Sequence, residues 1–278
     1  GMRRSENPVG EDRILAKVRQ LQALFADQPQ VSWELIIVDD GSRVRIGEII
    51  EQQLTEAFPE LVADGSAKVV YLEQAIAENL QREEGDRNPV LAGMRSADDS
   101  RRGGATVYGM DVALRDVAEL VVDTDADLSS HLGQIGTLIE PLLEGRADLV
   151  FGSKAHPDSI VLGRTLRRRI QSRVFNWVTR KLLPIGELYD TQVGFKAYTR
   201  EALSDILPQS RDKHFSVYTE LAFLARRAGY RTVEAPITWI ESAITSTRLE
   251  DIPEMVIQLA RQRHWHLTGR GTQFVTTL

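Results

Sequence analysis

Apolar positions along the chain recur with two spacings, one typical of helices and the other of buried strands. Between residues 11 and 26 an apolar residue returns every three or four positions, which predicts an amphipathic helix. The stretch WELIIVDDGS, at 33–42, is a short apolar run that ends in a polar turn, which predicts a buried strand. The remaining helices are predicted at 45–57, 104–115, 131–144, 166–182, 216–228 and 253–265, and the remaining strands at 67–72, 118–125, 147–153 and 230–239. The helix at 166–182 carries on one side Leu166, Ile170, Val174, Trp177 and Val178.

This alternation of strands and helices predicts an α/β fold with a mainly parallel central sheet flanked by helices. A chain of 278 residues is long enough for one large domain, and the later segments extend the same sheet, so a single domain is expected over 1–278. Residues 73–102 are highly charged and show little periodicity, which predicts a mobile, partly helical insertion. Residues 266–278 are predicted to form a C-terminal tail.

Composition narrows the chemistry that is open to the chain. Apolar residues make up 42% and the net charge is −6, which is ordinary for a soluble globular protein and disfavours nucleic acid as a partner. The absence of cysteine excludes disulfides and thiolate chemistry but leaves a metal with oxygen ligands possible. No apolar run reaches the ~20 residues that span a bilayer and no signal peptide is visible, so a cytoplasmic location is expected. A homo-oligomer is compatible with the sequence and is neither favoured nor excluded.

Three of the predicted strands end in polar residues. The first ends in Asp39, Asp40, Gly41 and Ser42, the second in Asp125 and Asp127, and the third in Gly152, Ser153 and Lys154. Any one of these turns is explained simply by helix capping or by a glycine turn. In open α/β sheets, however, ligands bind beyond the carboxyl ends of the strands. The coincidence at three strand ends therefore favours a shared binding site.

Asp125 and Asp127 lie in the loop just past their strand, where both carboxylates can converge on one cation. Mg²⁺ or Mn²⁺ suits carboxylate and diphosphate oxygens, and either ion would neutralise a diphosphate leaving group as a Lewis acid. Asp123 still lies within the strand. A pairing or capping role for Asp123 is as compatible with the sequence as a ligand role.

Six segments resemble, in order, the motifs of the family 2 glycosyltransferases. They are ELIIVDDGS, GGATVYGMDVA, VVDTDADLSSHLGQI, ADLVFGSK, SRVFNWVTRKLLPIGELYDTQVGFKAYTREAL and HFSVYTELAFLARRAGYRTVEAPITW. The chain looks most like the branch of dolichyl- and polyprenyl-phosphate mannosyl- and glucosyltransferases, over residues 11–265 apart from 73–102. The resemblance implies a GT-A fold, a nucleotide-diphosphate sugar donor of the UDP or GDP type, a divalent metal and inversion at the anomeric carbon.

The resemblance also implies roles for individual residues. Those that match nucleotide-contacting motifs are Asp39, Asp40, Ser42, Arg102 and Gly103. Those that match the metal and donor-sugar motif are Asp125 and Asp127. Those that match the acceptor-side motif are Asp190, Gln192 and Lys196, and Glu220 matches the acid of the VELL-type motif. The residues expected to contact a donor or acceptor phosphate are Lys154, Arg164, Gln192, Lys196 and Arg248.

The need for a catalytic base depends on the acceptor. A sugar hydroxyl would need a carboxylate to take its proton, and Asp190 is the first candidate and Glu220 the second. A lipid phosphate is already anionic and needs no strong base. Structural roles are about as compatible with the sequence, with Asp190 as a turn cap and Glu220 paired with a nearby arginine.

The stretch GRTLRRRIQSR, at 163–173, gathers five arginines at the start of a predicted helix. A solvated helix face explains this cluster as well as a site for an acceptor phosphate or an anionic lipid does. The second interpretation would bring the protein to the inner membrane face as a peripheral protein.

Two departures from the family pattern affect this interpretation. Family members begin with a strand of the type VVIPAYNEE, which this chain is expected to lack, because only the segment after that strand has a counterpart. Some lipid-linked relatives carry a membrane-spanning segment at the position that follows Trp265 here, and no such apolar run is present in this sequence.

The expected function is metal-dependent, inverting transfer of a sugar from a nucleotide-diphosphate sugar to an acceptor, with a polyprenyl phosphate favoured. A small soluble acceptor is the nearest alternative. A non-catalytic nucleotide-sugar-binding protein that has lost part of its donor site is the second. A nucleotidyltransferase is disfavoured, because no glycine-rich, lysine-containing loop follows the first predicted strand.

Overall fold

The computed structural model describes residues 13–42, 45–100, 102–116, 118–241 and 251–268, except for the side chains of 251–255 and 267. In chain order the helices and strands are α1 (Arg13–Phe25), β1 (Leu35–Asp39), α2 (Ile46–Ala57), α3 (Pro59–Ala63), β2 (Ala67–Tyr71), α4 (Leu72–Gln81), α5 (Gly103–Arg115), β3 (Leu120–Thr124), α6 (Gly136–Leu143), β4 (Leu149–Ser153), β5 (Ile160–Leu162), α7 (Leu166–Leu182), β6 (Phe195–Thr199), α8 (Arg200–Ile206), α9 (Val217–Ala228), β7 (Thr232–Pro236), β8 (Thr238–Ile240) and α10 (Asp251–Thr268). Helices α1, α2, α5, α7, α9 and α10 begin and end within three residues of their predicted bounds.

Strand pairing produces one four-stranded sheet and two separate parallel pairs. The four-stranded sheet has the order β3-β6-β4-β7, in which β6 is antiparallel to both neighbours and β4 is parallel to β7. The parallel pairs are β1 with β2 and β5 with β8. Three of these five pairings between described strands are parallel, so the predicted α/β fold with a mainly parallel sheet is confirmed. Residues 1–12 lie outside the described residues, and the expected lack of a first strand stays a prediction.

The core is split between the two faces of the four-stranded sheet. All five residues of β4 are buried. Leu149 and Phe151 belong to a cluster that includes α5, α8 and α9, whereas Val150 belongs to a cluster that includes α6 on the other face. Successive side chains of a strand point to opposite faces, so one strand supplies both clusters. Helices cover both faces, which leaves the ends of the strands for a site.

The predicted strand at 230–239 is two strands, because the chain changes partners at Ile237. The Ile237 amide donates to the Ser159 hydroxyl at 2.9 Å, and the Ile237 carbonyl accepts from the Ile160 amide at 3.0 Å. After this break the chain pairs with β5 instead of β4. An unbroken apolar pattern does not encode such a change of partner.

The segment 73–102, expected to be a mobile insertion, is a packed part of the domain in this structure. It contains most of α4 and three single turns of 3-10 helix. Ile76, Leu91 and Met94 are buried together with Leu72 in one apolar cluster. After α4 the segment consists of short turns and loops, which give no helical or strand periodicity. Its apolar residues are nevertheless buried. Its mobility stays a prediction.

Helix α7 has the predicted apolar stripe, but the stripe faces solvent. Leu166 is 70% exposed, and Ile170, Val174 and Trp177 are each more than half exposed. The buried residues of the helix are Phe175 and Thr179, on a different side. Within the described residues, no helix has both the length and the apolarity to cross a bilayer. Helix α7 therefore presents an apolar stripe on the surface of the described part of the chain.

Candidate active site

Asp125 lies just past the carboxyl end of β3, and the segment before β6 holds it in place. Its amide donates to the Gly194 carbonyl at 2.9 Å. A Cβ atom at Gly194 would collide with the side chains of both Asp125 and Arg102, so only glycine permits this approach. Arg102, at the start of α5, forms an ion pair with Asp125 Oδ1. Burial raises the pKa of Asp125, and the guanidinium of Arg102 opposes that rise.

Asp123 takes part in a buried network beneath this ion pair. The Tyr218 hydroxyl donates to Asp123 Oδ2, and it also accepts from Arg102 at 3.4 Å. The Lys196 ammonium lies 3.6 Å from the centre of the Tyr218 ring, a cation–π contact. Asp123 thus takes part in a structural pairing, which is the first of the two roles left open above.

Lys196 does not reach a phosphate in this structure. Its side chain is fully buried, and its ammonium donates to the Val193 carbonyl. Burial lowers the pKa of Lys196 to about 7, although Asp123 opposes the change. In this structure Lys196 places a basic group near Asp123 and Tyr218, and its expected phosphate contact stays a prediction.

Lys17, on α1, is a second buried base behind the acidic turn. Its ammonium donates to Thr124 Oγ1 at 3.2 Å and to the Ser130 carbonyl at 3.3 Å, which are the two ends of the turn that carries Asp125 and Asp127. Burial lowers the pKa of Lys17 to about 8, and the charge of Asp127 opposes this most strongly. Lys17 therefore ties α1 to the acidic turn.

Asp127 is the second of the two predicted metal ligands. Its Oδ1 accepts from the Ser129 amide at 2.9 Å, and its side chain is partly exposed. No cluster of three or more carboxylate or histidine side chains able to hold a metal occurs among the described residues. Asp125 and Asp127 supply hard oxygen donors that fit Mg²⁺ or Mn²⁺, with the other ligands left to a diphosphate.

A cluster of cations lies past the carboxyl end of β4. Lys154, Arg164 and Arg168 all approach Glu241, at 3.9, 3.8 and 3.1 Å. Lys154 also lies 4.8 Å from the centre of the Trp239 ring. Among the described residues, these three partly buried cations gather around the Glu241 carboxylate. Cationic side chains grouped in this way can bind the anionic oxygens of a phosphate.

Asp190 is buried next to this basic cluster. Its Oδ2 accepts from the Lys154 amide at 3.2 Å, its Oδ1 accepts from the Gln192 amide at 3.1 Å, and its own amide donates to Glu234 at 2.7 Å. These bonds make Asp190 a cap of the turn. The Gln192 side chain bonds to Thr219 Oγ1 at 3.3 Å.

Glu220, the second candidate base, lies in the protein interior. Its side chain is fully buried, and its Oε2 accepts from the Ser210 hydroxyl at 2.8 Å and from the amides of Arg211 and Asp212 at 2.9 and 2.8 Å. Its Oε1 lies 2.8 Å from His266 Nε2 on α10. Burial and these hydrogen bonds favour a structural role for Glu220, and its role as a base stays a prediction. Its partners are backbone amides, a serine and a histidine, and not an arginine.

The turn after β1 uses the Asp39 carboxylate internally. Asp39 accepts from the amides of Gly41, Ser42 and Gly47 and from the Ser42 hydroxyl, at 2.6 to 2.9 Å. Burial opposes ionisation, but these bonds outweigh it and lower the pKa of Asp39. Asp40 is exposed beside the turn. Nucleotide contacts by Asp39, Asp40 and Ser42 stay predictions.

The remaining predicted residues fall into two groups. Gly103 begins α5, and a Cβ atom there would collide with the backbone of His214, so Gly103 brings the 210–214 loop against the helix that follows Arg102. Arg248 lies outside the described residues. Its expected contact with a diphosphate stays a prediction.

Three residues of the site were not foreseen from the sequence: Lys17, Tyr218 and Glu241. Lys17 sits between Ile14 and Leu21 on the buried face of α1, and a charge on an apolar helix face was an available signal. Tyr218 and Glu241 act through long-range contacts that no local pattern encodes.

Comparison with known proteins shows which sequences the chain resembles and which fold it shares. No family model matches the chain. The chain is 32% identical to the glycosyltransferase AglD of Haloferax volcanii over 66% of its own length and 31% of that protein. It is 22% identical to the dolichyl-phosphate beta-glucosyltransferase ALG5C of Trichomonas vaginalis, over 92% of this chain and 67% of that one. It is 29% identical to an undecaprenyl-phosphate mannosyltransferase of Micrococcus luteus, over 60% and 68%. The chain thus spans about a third of AglD and two thirds of the other two.

A solved structure gives the fold. The glucosyl-3-phosphoglycerate synthase of Mycobacterium tuberculosis superposes with a TM-score of 0.53 at 20% identity, covering 93% of this chain and 77% of that one. The chain therefore has the GT-A fold. Two of its sequence relatives are named as transferases of dolichyl phosphate and undecaprenyl phosphate. One structure of the same synthase, with a TM-score of 0.51, contains Mn²⁺, UDP-glucose and phosphoglyceric acid. In this chain Asp125 and Asp127 lie past the end of β3, and Lys154 lies past the end of β4.

Proposed function

We propose that this glycosyltransferase transfers a sugar, with inversion and with the help of a divalent metal, from a nucleotide-diphosphate sugar to a polyprenyl phosphate. The observation that carries the proposal is the pair of opposite charge clusters at strand ends. Asp125 and Asp127 follow β3, while Lys154 follows β4 and is joined at Glu241 by Arg164, which follows β5, and by Arg168 of α7. Strand β6 separates the two strands, so the clusters lie side by side along one sheet.

The acidic turn suits the donor. Asp125 and Asp127 offer carboxylate oxygens for Mg²⁺ or Mn²⁺, and a cation there offsets the charge of the leaving diphosphate. Arg102 adds a cation at the start of α5, where helix amides also favour anions. Mn²⁺ together with UDP-glucose in the related synthase supports this assignment.

The basic cluster suits an anionic acceptor. A phosphate monoester carries its own negative charge, so it can attack without a protein base. This requirement fits the geometry, because Asp190 and Glu220 are buried and already occupied by hydrogen bonds. The cations Lys154, Arg164 and Arg168 would orient the phosphate for in-line attack.

The exposed stripe of α7 favours a lipid acceptor over a soluble one. Helix α7 begins beside Arg164 and Arg168, and its stripe of Leu166, Ile170, Val174 and Trp177 is open to solvent. An apolar helix face flanked by arginines binds an anionic membrane surface. The phosphoglyceric acid bound to the related synthase supports the alternative, a small phosphorylated acceptor. The proposed location is the inner membrane face, with peripheral attachment.

Nucleotide binding is the first test. Thermal unfolding of the protein is measured with UDP, GDP and their glucose and mannose conjugates, each with and without Mn²⁺. At a hundredfold excess over Kd, a ligand stabilises the folded state by about 2.7 kcal/mol, so Tm should rise by roughly 5–10 °C with one nucleotide family. Adding EDTA should remove most of this rise. No shift with any nucleotide in the presence of metal would refute the proposal, and a shift without turnover would favour a non-catalytic binder.

Membrane attachment is the second test. Replacing Val174 and Trp177 by serine should lower the partitioning onto vesicles that contain phosphatidylglycerol by about tenfold, because two half-buried apolar side chains are lost from the interface. Sedimentation with vesicles measures the bound fraction. Ile49→Ser, at an equally exposed apolar residue on α2, serves as the control and should bind like the unaltered protein. Equal binding by all three proteins would favour the soluble acceptor.

A further inference from the structure

Charge in the acidic turn is already balanced by the protein itself. Three carboxylates, Asp123, Asp125 and Asp127, are accompanied by three basic side chains. The basic side chains are Arg102, which pairs with Asp125, Lys17, which bonds to both ends of the turn, and Lys196, which lies on the Tyr218 ring. A divalent cation that entered alone would leave a surplus of positive charge in a largely buried space. A cation that entered with a diphosphate would not.

Of the three bases, Arg102 is the one in direct contact with a predicted metal ligand. Lys17 donates to a hydroxyl and a carbonyl, and Lys196 to a carbonyl. Arg102 instead donates to Asp125 Oδ1. A guanidinium on this carboxylate repels a second cation at the same oxygens. Arg102 and a metal therefore compete for Asp125.

The backbone of Arg102 is held in an unfavourable conformation. Its φ is +86° and its ψ is −42°, a region that residues with side chains rarely adopt. The next residue, Gly103, is packed against the backbone of His214, and the Gly104 amide donates to the Lys213 carbonyl at 3.1 Å. These contacts hold the start of α5 while the Arg102 side chain reaches Asp125. Because these contacts involve the backbone, the Arg102 side chain can change its partner without moving the start of α5.

We propose that Arg102 is an internal counter-cation that pairs with Asp125 and competes with the divalent metal for its carboxylate. When the donor binds, the Arg102 side chain leaves Asp125 and pairs with the donor diphosphate. Metal and nucleotide therefore bind cooperatively. This inference rests on the proposed function, because it takes Asp125 as a metal ligand and a nucleotide diphosphate as donor. The diphosphate contributes negative charge next to the helix start, where Arg102 can follow it. The metal then meets an Asp125 carboxylate free of its competitor. Coupling of this kind changes affinities by about 5- to 150-fold.

Titration of Mn²⁺, followed by the electron paramagnetic resonance of the free ion, tests the competition directly. In the unaltered protein, the affinity for Mn²⁺ should rise by about tenfold or more when saturating UDP or GDP is present. In Arg102→Ala, Mn²⁺ alone should bind about tenfold more tightly than in the unaltered protein, and nucleotide should add little. Arg102→Lys, which keeps a cation, should resemble the unaltered protein.

Arg115→Ala is the matched control, because Arg115 pairs with Asp111 on the same helix without contacting the acidic turn. It should bind Mn²⁺ like the unaltered protein. If Arg102→Ala is unstable, Arg102→Gly accepts the positive φ and repeats the measurement. Equal affinity for Mn²⁺ alone in Arg102→Ala and the unaltered protein would overturn the inference. If no nucleotide binds any variant but Arg102→Ala still gains Mn²⁺ affinity, the proposed donor is wrong and the counter-cation role of Arg102 stands.

Discussion

Asp127→Ala should abolish metal-dependent sugar transfer, with turnover lower by at least about a hundredfold, while the protein stays folded. Asp127 is partly exposed and makes a single turn bond, from the Ser129 amide to its Oδ1. The substitution therefore removes a carboxylate ligand at a structural cost of about 1 kcal/mol. Transfer is measured with the nucleotide sugar that raises Tm most and a short-chain polyprenyl phosphate, and folding is measured by thermal unfolding without ligand.

Asp64→Ala provides a control with the same local geometry. The Asp64 Oδ1 accepts from the Ser66 amide two residues on, at 2.8 Å, as Asp127 does from Ser129. Asp64 is exposed after α3, remote in sequence from the strand ends of the site. Both variants should lose similar stability, and only Asp127→Ala should lose turnover and Mn²⁺ binding. Undiminished turnover in Asp127→Ala would remove Asp127 from the metal site.

The sequence predicted the strand ends well because their signals are local. A short apolar run followed by Asp, Gly or Ser marks both the strand and its end, and parallel strands bring such ends to one edge. The placement of Asp125 past β3 and of Lys154 past β4 follows from that pattern alone. The antiparallel strand β6 was missed, because buried Lys196 interrupts its apolar run.

The partners of the charged residues were not predictable from the sequence. Arg102 is 23 residues from Asp125 and Lys17 is 107 residues from Thr124, and neither pairing leaves a trace in local periodicity. The burial of Glu220 likewise results from the packing of the 210–214 loop and of α10, which is distant in sequence, against α9. The resemblance to family motifs suggested Glu220 as a catalytic base. Its hydrogen bonds to the 210–214 loop and to His266 favour a structural role.

The exposure of the α7 stripe marks another limit of the pattern. The spacing of apolar residues in the sequence shows that they share one face of a helix. It does not show whether another part of the protein covers that face. In α7 the core takes Phe175 and Thr179, and the longer stripe that begins at Leu166 is left open. If the proposed function is correct, this exposed stripe favours a lipid-linked acceptor.

Glu220→Ala should lower the free energy of unfolding by about 3–5 kcal/mol and Tm by roughly 10 °C. The change leaves the buried Ser210 hydroxyl and two loop amides without their acceptor, and it removes the partner of His266 on α10. Burial and the neighbouring Glu220 charge raise the pKa of Asp212 to about 7, so the loss of Glu220 should also lower the pKa of Asp212. Thermal and urea unfolding measure the stability, and Glu78→Ala on the exposed side of α4 is the control.

Glu220→Gln separates the structural role from the catalytic one. Glutamine keeps an oxygen that can accept from Ser210 and the loop amides, so the variant should lose less stability than Glu220→Ala. It cannot serve as a base. If Glu220 only holds the 210–214 loop against the start of α5, Glu220→Gln should keep most of its turnover below its unfolding transition. Loss of turnover with unchanged Tm and unchanged nucleotide binding would instead make Glu220 the base, and that result would favour a hydroxyl acceptor over a phosphate, because only a hydroxyl needs its proton removed.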